Sequence, residues 1–281
     1  MFQLASFGLS SADVDAYCGP GASNVRFDEW IAIPAGLAGK PFQVRCSLPD
    51  GRTFVGRDAL TNAAWGDPYF NSWERFLAML PQFPSGKVLE IGSRARSAIT
   101  RRHRIPSHLE YLGVDILPGP NVDLIADVHD LGNALDSQRF VAVFSTSVFE
   151  HLAMPWKVVL ELNRALVCGG IIYTATHQTF PMHEEPWDFW RYSQHSWRCL
   201  FNQETGYEVL ETFVGEPARI HPCRTSENTR DVYLSPAWLG AACISRKVSD
   251  TLLSWPVPMS SVTAAMYPSG ALIVPPSSDP V

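Results

Sequence analysis

The chain has 281 residues, of which 46% are hydrophobic and 18% are charged. This composition predicts a folded core, formed by one large α/β domain or by a medium domain with a small annex, and excludes disorder throughout. The 22 basic and 28 acidic residues give a formal net charge of -6. That balance argues against a nucleic-acid-binding protein, which would carry a basic face to neutralise phosphates.

Targeting and cysteine patterns predict a cytoplasmic protein. The N-terminus has no Lys or Arg before its apolar residues, so it is a poor secretory signal. No apolar run reaches the ~18 residues that a membrane span needs. The 6 cysteines are scattered without a C-x-x-C pair, which indicates reduced thiols rather than disulfides or a zinc ribbon. The basic run Arg101–Arg104 is interpreted as a solvated helix end.

Composition divides the chain into an N-terminal annex, a main domain and a Pro- and Ser-rich C-terminal tail. Their predicted limits are residues 1–68, 69–247 and 248–281. The annex is expected to contain a β-hairpin, whose strands at 42–48 and 52–55 flank the turn Pro49-Asp50-Gly51.

Strand and helix patterns alternate from Lys87 onward. Five short apolar or β-branched runs are typical of strands buried on both faces of a parallel sheet. They are VLEIG (88–92), EYLGVD (110–115), VDLIAD (122–127), FVAVFS (140–145) and IIYTAT (171–176). The runs at 207–214 and 238–245 predict an antiparallel edge. The predicted fold class is therefore α/β, a Rossmann-like doubly wound sheet whose site lies at the carboxyl ends of the strands.

Helices are predicted from apolar spacing and from capping residues. One helix is expected from a cap at Asn71 or Ser72 to Leu80, and another from Pro155 to a stop at Gly169-Gly170. Helical turns are also expected around 95–104 and after Ser193.

The turn after the first of these strands is predicted to bind a ligand. It reads Glu90-Ile91-Gly92-Ser93-Arg94, and its glycine lets backbone N–H groups approach a bound molecule closely. A nicotinamide dinucleotide requires G-x-G-x-x-G, whereas this chain has G-S-R-A-R-S from Gly92 onward. The missing glycines count against a pyrophosphate site.

Acidic residues end the next two strands. Asp115 ends the second strand, a placement that suits a carboxylate accepting hydrogen bonds from both hydroxyls of a ribose. Asp127 ends the third strand and is predicted to accept a hydrogen bond from the exocyclic amine of adenine.

Four segments, in chain order, resemble the class I S-adenosylmethionine-dependent methyltransferases, and in particular the methyltransferase type 11 group. They span roughly residues 70–215 and read VLEIGSRARS, YLGVDI, IADVHDL and FSTSVFEHLAMPWKVVLELNRALVCGG. The resemblance implies that residues 69–247 form a methyltransferase domain with S-adenosylmethionine as the methyl donor.

The resemblance also implies a set of cofactor contacts. Glu90, Gly92 and Ser93 are expected to contact the methionine part of the cofactor, and Asp115 the ribose. Asp127 and Val128 are expected to contact the adenine, and Ser145 and Thr146 to flank the sulfonium. Ile116 is a further predicted contact. Arg94 stands where the family usually has glycine: it either points to solvent or pairs with the cofactor's carboxylate.

The segment THQTFPMHEEPWDFWRYS (176–193) is predicted to bind the methyl acceptor, because it follows the carboxyl end of the fifth strand. His183 in this segment and His151 after the fourth strand are the candidate general bases, with His183 preferred. An alternative role for His151 is to orient its loop. Asp188 and Arg191 are predicted to hold sugar hydroxyls. No H-E-x-x-H spacing occurs, so no metal site is predicted.

Within that segment, PMHEEPWDFWRY resembles a motif of a bacterial subgroup associated with surface-glycan assembly. The implied reaction is O-methylation of a sugar or other small-molecule hydroxyl. Two alternatives stay open. One is a nicotinamide-dependent oxidoreductase, against which the missing glycines count. The other is a non-catalytic binding module of the same fold, which Arg94 in the glycine turn motivates.

Overall fold

The computed structural model describes residues 41–47, 53–59, 67–96, 100–135, 139–220, 222, 226–229, 232 and 235–263. The chain divides into two compact units. The first comprises Met1–Trp65 and His221–Leu234, and the second comprises Gly66–Ile220 and Ser235–Val281. The predicted three-part division of the chain stays a prediction.

The first unit contains an antiparallel hairpin of two strands, β1 (Pro41–Ser47) and β2 (Thr53–Ala59). The hairpin lies where the sequence predicts one, although β2 extends further than the expected strand at 52–55. The predicted turn at 49–51 lies outside the described residues.

The second unit is built on a seven-stranded sheet. Its strands are β3 (Lys87–Ile91), β4 (Glu110–Asp115), β5 (Leu124–Ile125), β6 (Phe140–Thr146), β7 (Leu166–His177), β8 (Tyr207–Ala218) and β9 (Ala237–Lys247). They lie in the order β5-β4-β3-β6-β7-β9-β8. The pairings from β5 to β7 are parallel, and β9 runs antiparallel to both β7 and β8. The predicted α/β class is confirmed, and the two late strands supply the antiparallel pairing.

Four α-helices accompany the sheet in the described part of this unit: α1 (Pro68–Met79), α2 (Leu131–Ala134), α3 (Pro155–Ala165) and α4 (Ser196–Leu200). No helix among the described residues is long and apolar enough to cross a membrane.

Two predicted helix limits are wrong. Helix α1 begins before Asn71 because the Asp67 carboxylate accepts a hydrogen bond from the Tyr69 N–H at 2.8 Å, which makes Asp67 the N-cap. Helix α3 begins at Pro155 as expected but ends well before Gly169-Gly170. The reason is that Leu166 is already extended and pairs with β6. Around 95–104, the described residues contain a 3₁₀ turn at Arg102–Arg104.

The sheet separates two apolar layers, because successive residues of a strand point to opposite faces. Val88 and Phe144 pack on the layer that contains Phe76 of α1. Leu89 packs on the other layer, with Leu162 of α3. These layers hold the strand ends in fixed positions, which is what a site at their carboxyl edge requires.

Trp197 anchors the chain that follows β7. It is 0% exposed, its ring stacks on Tyr192 at 4.6 Å between centroids, and it meets Phe149 edge-on at 5.6 Å. We expect Trp197→Ala to lower the free energy of unfolding by about 3–5 kcal/mol, because it leaves a large cavity. Urea unfolding measures this. Trp255→Ala is the matched control: Trp255 is 43% exposed, so less apolar surface is lost and the cost should be smaller. Equal losses would contradict the prediction.

Candidate active site

A cavity of about 420 Å³ lies at the carboxyl ends of β3, β4, β5 and β6. Most of the predicted site residues line it: Glu90, Gly92, Ser93, Arg94, Asp115, Ile116, Asp127, Val128, Thr146, His151 and His183. The remaining three, Ser145, Asp188 and Arg191, do not line it. Ser145 is buried beside the cavity on β6, and its hydroxyl has no hydrogen-bond partner within the described residues.

The turn after β3 forms one wall of the cavity. The buried Glu90 carboxylate accepts hydrogen bonds from the Tyr111 hydroxyl and from the Asn121 amide. Burial raises the pKa of Glu90, and these hydrogen bonds oppose the rise. Gly92 has a φ of 72°, and a Cβ there would lie 2.1 Å from Val148 Cγ2. Glycine is therefore required for both backbone conformation and space.

Asp115 is held by the backbone on both sides. Its Oδ2 accepts from the Arg94 N–H at 3.1 Å, and its Oδ1 accepts from the Leu117 N–H at 3.0 Å. The Arg94 side chain turns toward this carboxylate, with Nε 3.7 Å from Oδ1. Arg94 therefore lies on the carboxylate that was predicted to bind the ribose, and its Nε is buried without a hydrogen bond in the described part of the chain.

Asp127 is oriented by a histidine that the sequence analysis missed. His129 Nδ1 is 2.7 Å from Asp127 Oδ1, and His129 Nε2 accepts the Met154 N–H at 3.3 Å. A ring nitrogen that accepts leaves the other to donate, so His129 donates to Asp127. Burial acts to raise the pKa of Asp127, but the two hydrogen bonds from His129 lower it below its ordinary value. Asp127 Oδ2 is buried and has no partner among the described residues.

The opposite end of the cavity is formed by the loop at 178–192 and the 3₁₀ turn Phe149–His151. The loop is attached to the turn through backbone groups: the N–H groups of Phe189 and Trp190 both donate to the Glu150 carbonyl, at 2.8 and 3.2 Å. His151 Nδ1 lies 2.7 Å from the Trp187 carbonyl. The His151 and His183 rings lie 4.9 Å apart. The two predicted catalytic histidines are thus brought together.

Two ionisable groups behind these histidines were not predicted. The Glu150 side chain is 0% exposed, and burial raises its pKa to about 7. His177, at the end of β7, has its Nε2 3.3 Å from Glu150 Oε1. Burial and the neighbouring His183 lower the pKa of His177 to about 4. Burial also lowers the pKa of His151. His177 is therefore neutral at pH 7, and burial favours the neutral form of His151 as well.

Asp188 and Arg191 bind each other inside the loop. Both terminal guanidinium nitrogens of Arg191 donate to the Asp188 carboxylate, at 2.5 and 2.7 Å, and this lowers the pKa of Asp188 to about 2. Arg191 also donates to the carbonyls of Phe180 and Pro181, at 3.0 Å each. Asp188 accepts from the His183 N–H at 2.9 Å. The pair therefore fixes the loop, and its predicted contact with sugar hydroxyls stays a prediction.

Two further parts of the cavity wall were missed by sequence reasoning. Arg96 and Glu184 form an ion pair between the two ends of the site. Met259 and Thr263, from the tail, line the cavity. No signal in the sequence indicates either, because both depend on contacts between distant segments.

A family model described as a methyltransferase domain, Methyltransf_11, matches residues 94–174, which include Asp115, Asp127 and His151. The chain carries an S-adenosylmethionine-dependent methyltransferase domain. Comparison with curated proteins gives no match.

Three solved structures are similar to this chain. An S-adenosylmethionine-dependent methyltransferase from Archaeoglobus fulgidus has 16% identity and a TM-score of 0.45, over 62% of this chain and 94% of that one. A chain of the complex between the Haloferax volcanii Trm112 methyltransferase activator and a methyltransferase has 19% identity and a TM-score of 0.44, over 64% of this chain and 91% of that one. TehB from Haemophilus influenzae has 13% identity and a TM-score of 0.41, over 70% and 75%.

The cavity of the methyltransferase domain fits its donor. Buried polar atoms without partners in the described residues lie on its walls, namely Ser93 Oγ, Arg94 Nε and Asp127 Oδ2. Leaving such atoms unsatisfied costs ~1–3 kcal/mol each, so a ligand that pairs with them binds favourably. S-adenosylmethionine carries hydroxyls and amines, which are the kind of group that such atoms require.

Gly92 offers a direct test of the turn. We expect Gly92→Ala to weaken binding of S-adenosylhomocysteine tenfold or more and to lower the free energy of unfolding by about 2–4 kcal/mol, since a clash adds to left-handed strain. Gly169→Ala is the matched control. Gly169 also has a positive φ, 81°, but a Cβ there meets nothing within 4 Å. Calorimetric titration and thermal unfolding of both variants separate the clash from the strain. Equal effects would show that Val148 yields without cost.

Proposed function

We propose that this domain transfers the methyl group of S-adenosylmethionine to a hydroxyl oxygen of a sugar or other small molecule. The observation that carries the proposal is the two-ended cavity. One end has acidic groups after consecutive parallel strands, and the other has two histidines that face each other at 4.9 Å. Such a cavity aligns a donor and an acceptor, which is the main requirement of an in-line methyl transfer.

On the donor side, Glu90 is suited to the methionine ammonium group. Asp115 is suited to the ribose hydroxyls, and Asp127 accepts from the adenine amine through its unpartnered Oδ2. The Arg94 side chain lies over Asp115, which supports a position beside the ribose rather than one in solvent. Val148 and Met259 add apolar surface to the same cavity.

On the acceptor side, His151 and His183 promote loss of the proton from the hydroxyl. The acceptor oxygen forms a bond to the methyl carbon, the carbon–sulfur bond breaks with its electron pair going to sulfur, and the hydroxyl proton leaves. The Trp187 carbonyl orients His151, so an orienting hydrogen bond and a role in the reaction are compatible. The motif around His183 supports a sugar acceptor, and a cytoplasmic location stays a prediction.

The ribose assignment is tested with Asp115→Ala. Losing a carboxylate that accepts two hydroxyls should cost on the order of 1.5–3 kcal/mol, which is tenfold or more in affinity for S-adenosylhomocysteine. Asp123→Ala is the control. The Asp123 carboxylate also accepts a hydrogen bond from a backbone N–H, that of Gly113 at 2.8 Å, but Asp123 does not line the cavity. If calorimetry finds that Asp115→Ala binds as tightly as Asp123→Ala, the ribose assignment is wrong.

The role of His183 is tested by turnover. We expect His183→Ala to lower the rate of methyl transfer by ~10²–10⁴-fold, because the hydroxyl then keeps its proton. Affinity for S-adenosylhomocysteine should stay near that of the wild type, since His183 lies at the acceptor end. The assay follows transfer of tritiated methyl to a panel of sugar and phenolic hydroxyls. His195→Ala, at an exposed histidine outside the cavity, should retain full activity. Normal turnover of His183→Ala would overturn this role.

A further inference from the structure

Three histidines and one glutamate converge at the acceptor end, from segments that are distant in sequence. Glu150, His151 and His183 each offer one ligand atom, and these atoms all lie within 4.8 Å of one another. His177 lies beside them: its Nε2 is 3.3 Å from Glu150 Oε1, and its ring is 5.3 Å from that of His183. No metal site was predicted from the sequence, because these residues follow no local ligand spacing.

The Glu150 carboxylate has an unused oxygen. Its Oε2 accepts a hydrogen bond from the Thr176 hydroxyl. Its Oε1 is buried and accepts no hydrogen bond from the described residues, although His177 Nε2 and His151 Nε2 are only 3.3 and 3.9 Å away. A buried carboxylate oxygen without a partner is costly unless something binds it.

The orientation of the imidazoles directs one nitrogen of each ring away from the backbone. The Trp187 carbonyl can only accept, so His151 Nδ1 at 2.7 Å must donate to it. His183 Nδ1 lies 3.2 Å from the Pro181 carbonyl, and the same argument makes it a donor. In both rings Nε2 then carries the lone pair. A backbone or carboxylate partner on the other nitrogen is typical of histidines that bind metal ions.

We propose that Glu150, His151 and His183 bind a divalent transition-metal ion. Two imidazoles and one carboxylate form a donor set that suits Zn²⁺ and its first-row neighbours, whereas Mg²⁺ and Ca²⁺ prefer oxygen ligands alone. His177 stands close enough to join the set after a small movement. Metal–nitrogen distances are ~2.0–2.1 Å, so the ligand atoms of a tetrahedral ion lie ~3.4 Å apart. The three ligand atoms lie within 4.8 Å of one another, so the widest of these separations must shorten when the ion binds.

The role of this site depends on the proposed function: the ion determines how the acceptor loses its proton. His151 and His183 line the cavity, so an ion between them is open to it. The acceptor hydroxyl binds the ion through its oxygen, which lowers the pKa of the hydroxyl. Its proton leaves to solvent, and the oxygen then attacks the methyl carbon. The two histidines act as ligands of the ion rather than as separate bases.

The experiment measures metal binding without donor or acceptor. Purified full-length protein is stripped with a chelator, dialysed against Zn²⁺ and analysed for bound metal. Co²⁺ titration, followed by visible absorption, reports on the coordination geometry. We expect one Zn²⁺ per chain and no retention of Mg²⁺. Removing a residue that only hydrogen-bonds to a metal ligand typically reduces metal affinity ~10–100-fold. His183→Ala and Glu150→Gln each remove a ligand itself, so the loss of Zn²⁺ affinity should be larger.

His195→Ala is the matched control, because it removes an exposed histidine outside the cluster and should retain the ion. Glu150→Gln keeps the shape of the side chain, and circular dichroism checks that both ligand variants fold. A wild-type protein that binds no Zn²⁺, or that binds it no more tightly than His183→Ala, overturns the proposal. Titration with S-adenosylhomocysteine is independent of this result. Failure of that titration would count against the methyltransferase reaction and would leave the metal site standing.

Discussion

The backbone carbonyl of Glu150 is the contact on which the acceptor end depends. It accepts two N–H groups from the loop at 178–192, and the Tyr192 hydroxyl donates to the neighbouring Phe149 carbonyl at 3.1 Å. Parallel strands alone leave an open edge, with β6 and β7 ending side by side. These hydrogen bonds fold the chain after β7 back over the turn after β6, so two segments that carry histidines face one cavity. Trp197 packs beneath both and makes this arrangement rigid.

The same region places several polar atoms where water does not reach them. Glu150 Oε1 and Ser145 Oγ are buried without hydrogen bonds from the described residues, and the same is true of Asp127 Oδ2 at the other end of the cavity. A fold selected for stability alone would replace such groups with apolar ones or pair them. Their presence in or beside one cavity is the expected result when stability is given up for binding.

Much of the fold could be predicted because strands buried on both faces are continuous apolar runs, and five of them stand out in this sequence. The donor end followed from the same fact, since Asp115 ends one strand, Asp127 follows the next, and the carboxyl ends of both strands lie at one edge of the sheet. The ends of helices and strands were harder to predict where contacts with other parts of the chain set them. Asp67 caps α1 just before a Pro, and this start adds nothing to the apolar spacing from which the helix was predicted. Strand β7 begins at Leu166 because that residue pairs with β6. The proximity of Glu150 to His177 was beyond sequence reasoning, because it depends on how two strands are aligned.

Lys157 connects the turn that follows Asp127 to the tail. This buried side chain donates to Asp130 at 2.8 Å and to the Val257 carbonyl at 3.0 Å. Asp130 belongs to the 3₁₀ turn that carries His129, and Met259 lies two residues beyond Val257. One ammonium group thus joins the support of Asp127 to the chain that closes the cavity. By reciprocity, whatever free energy a ligand at Asp127 adds to docking of the tail is the same free energy that the docked tail adds to binding of that ligand. A chain shortened before Val257 would lose donor affinity although every strand-end carboxylate were still present.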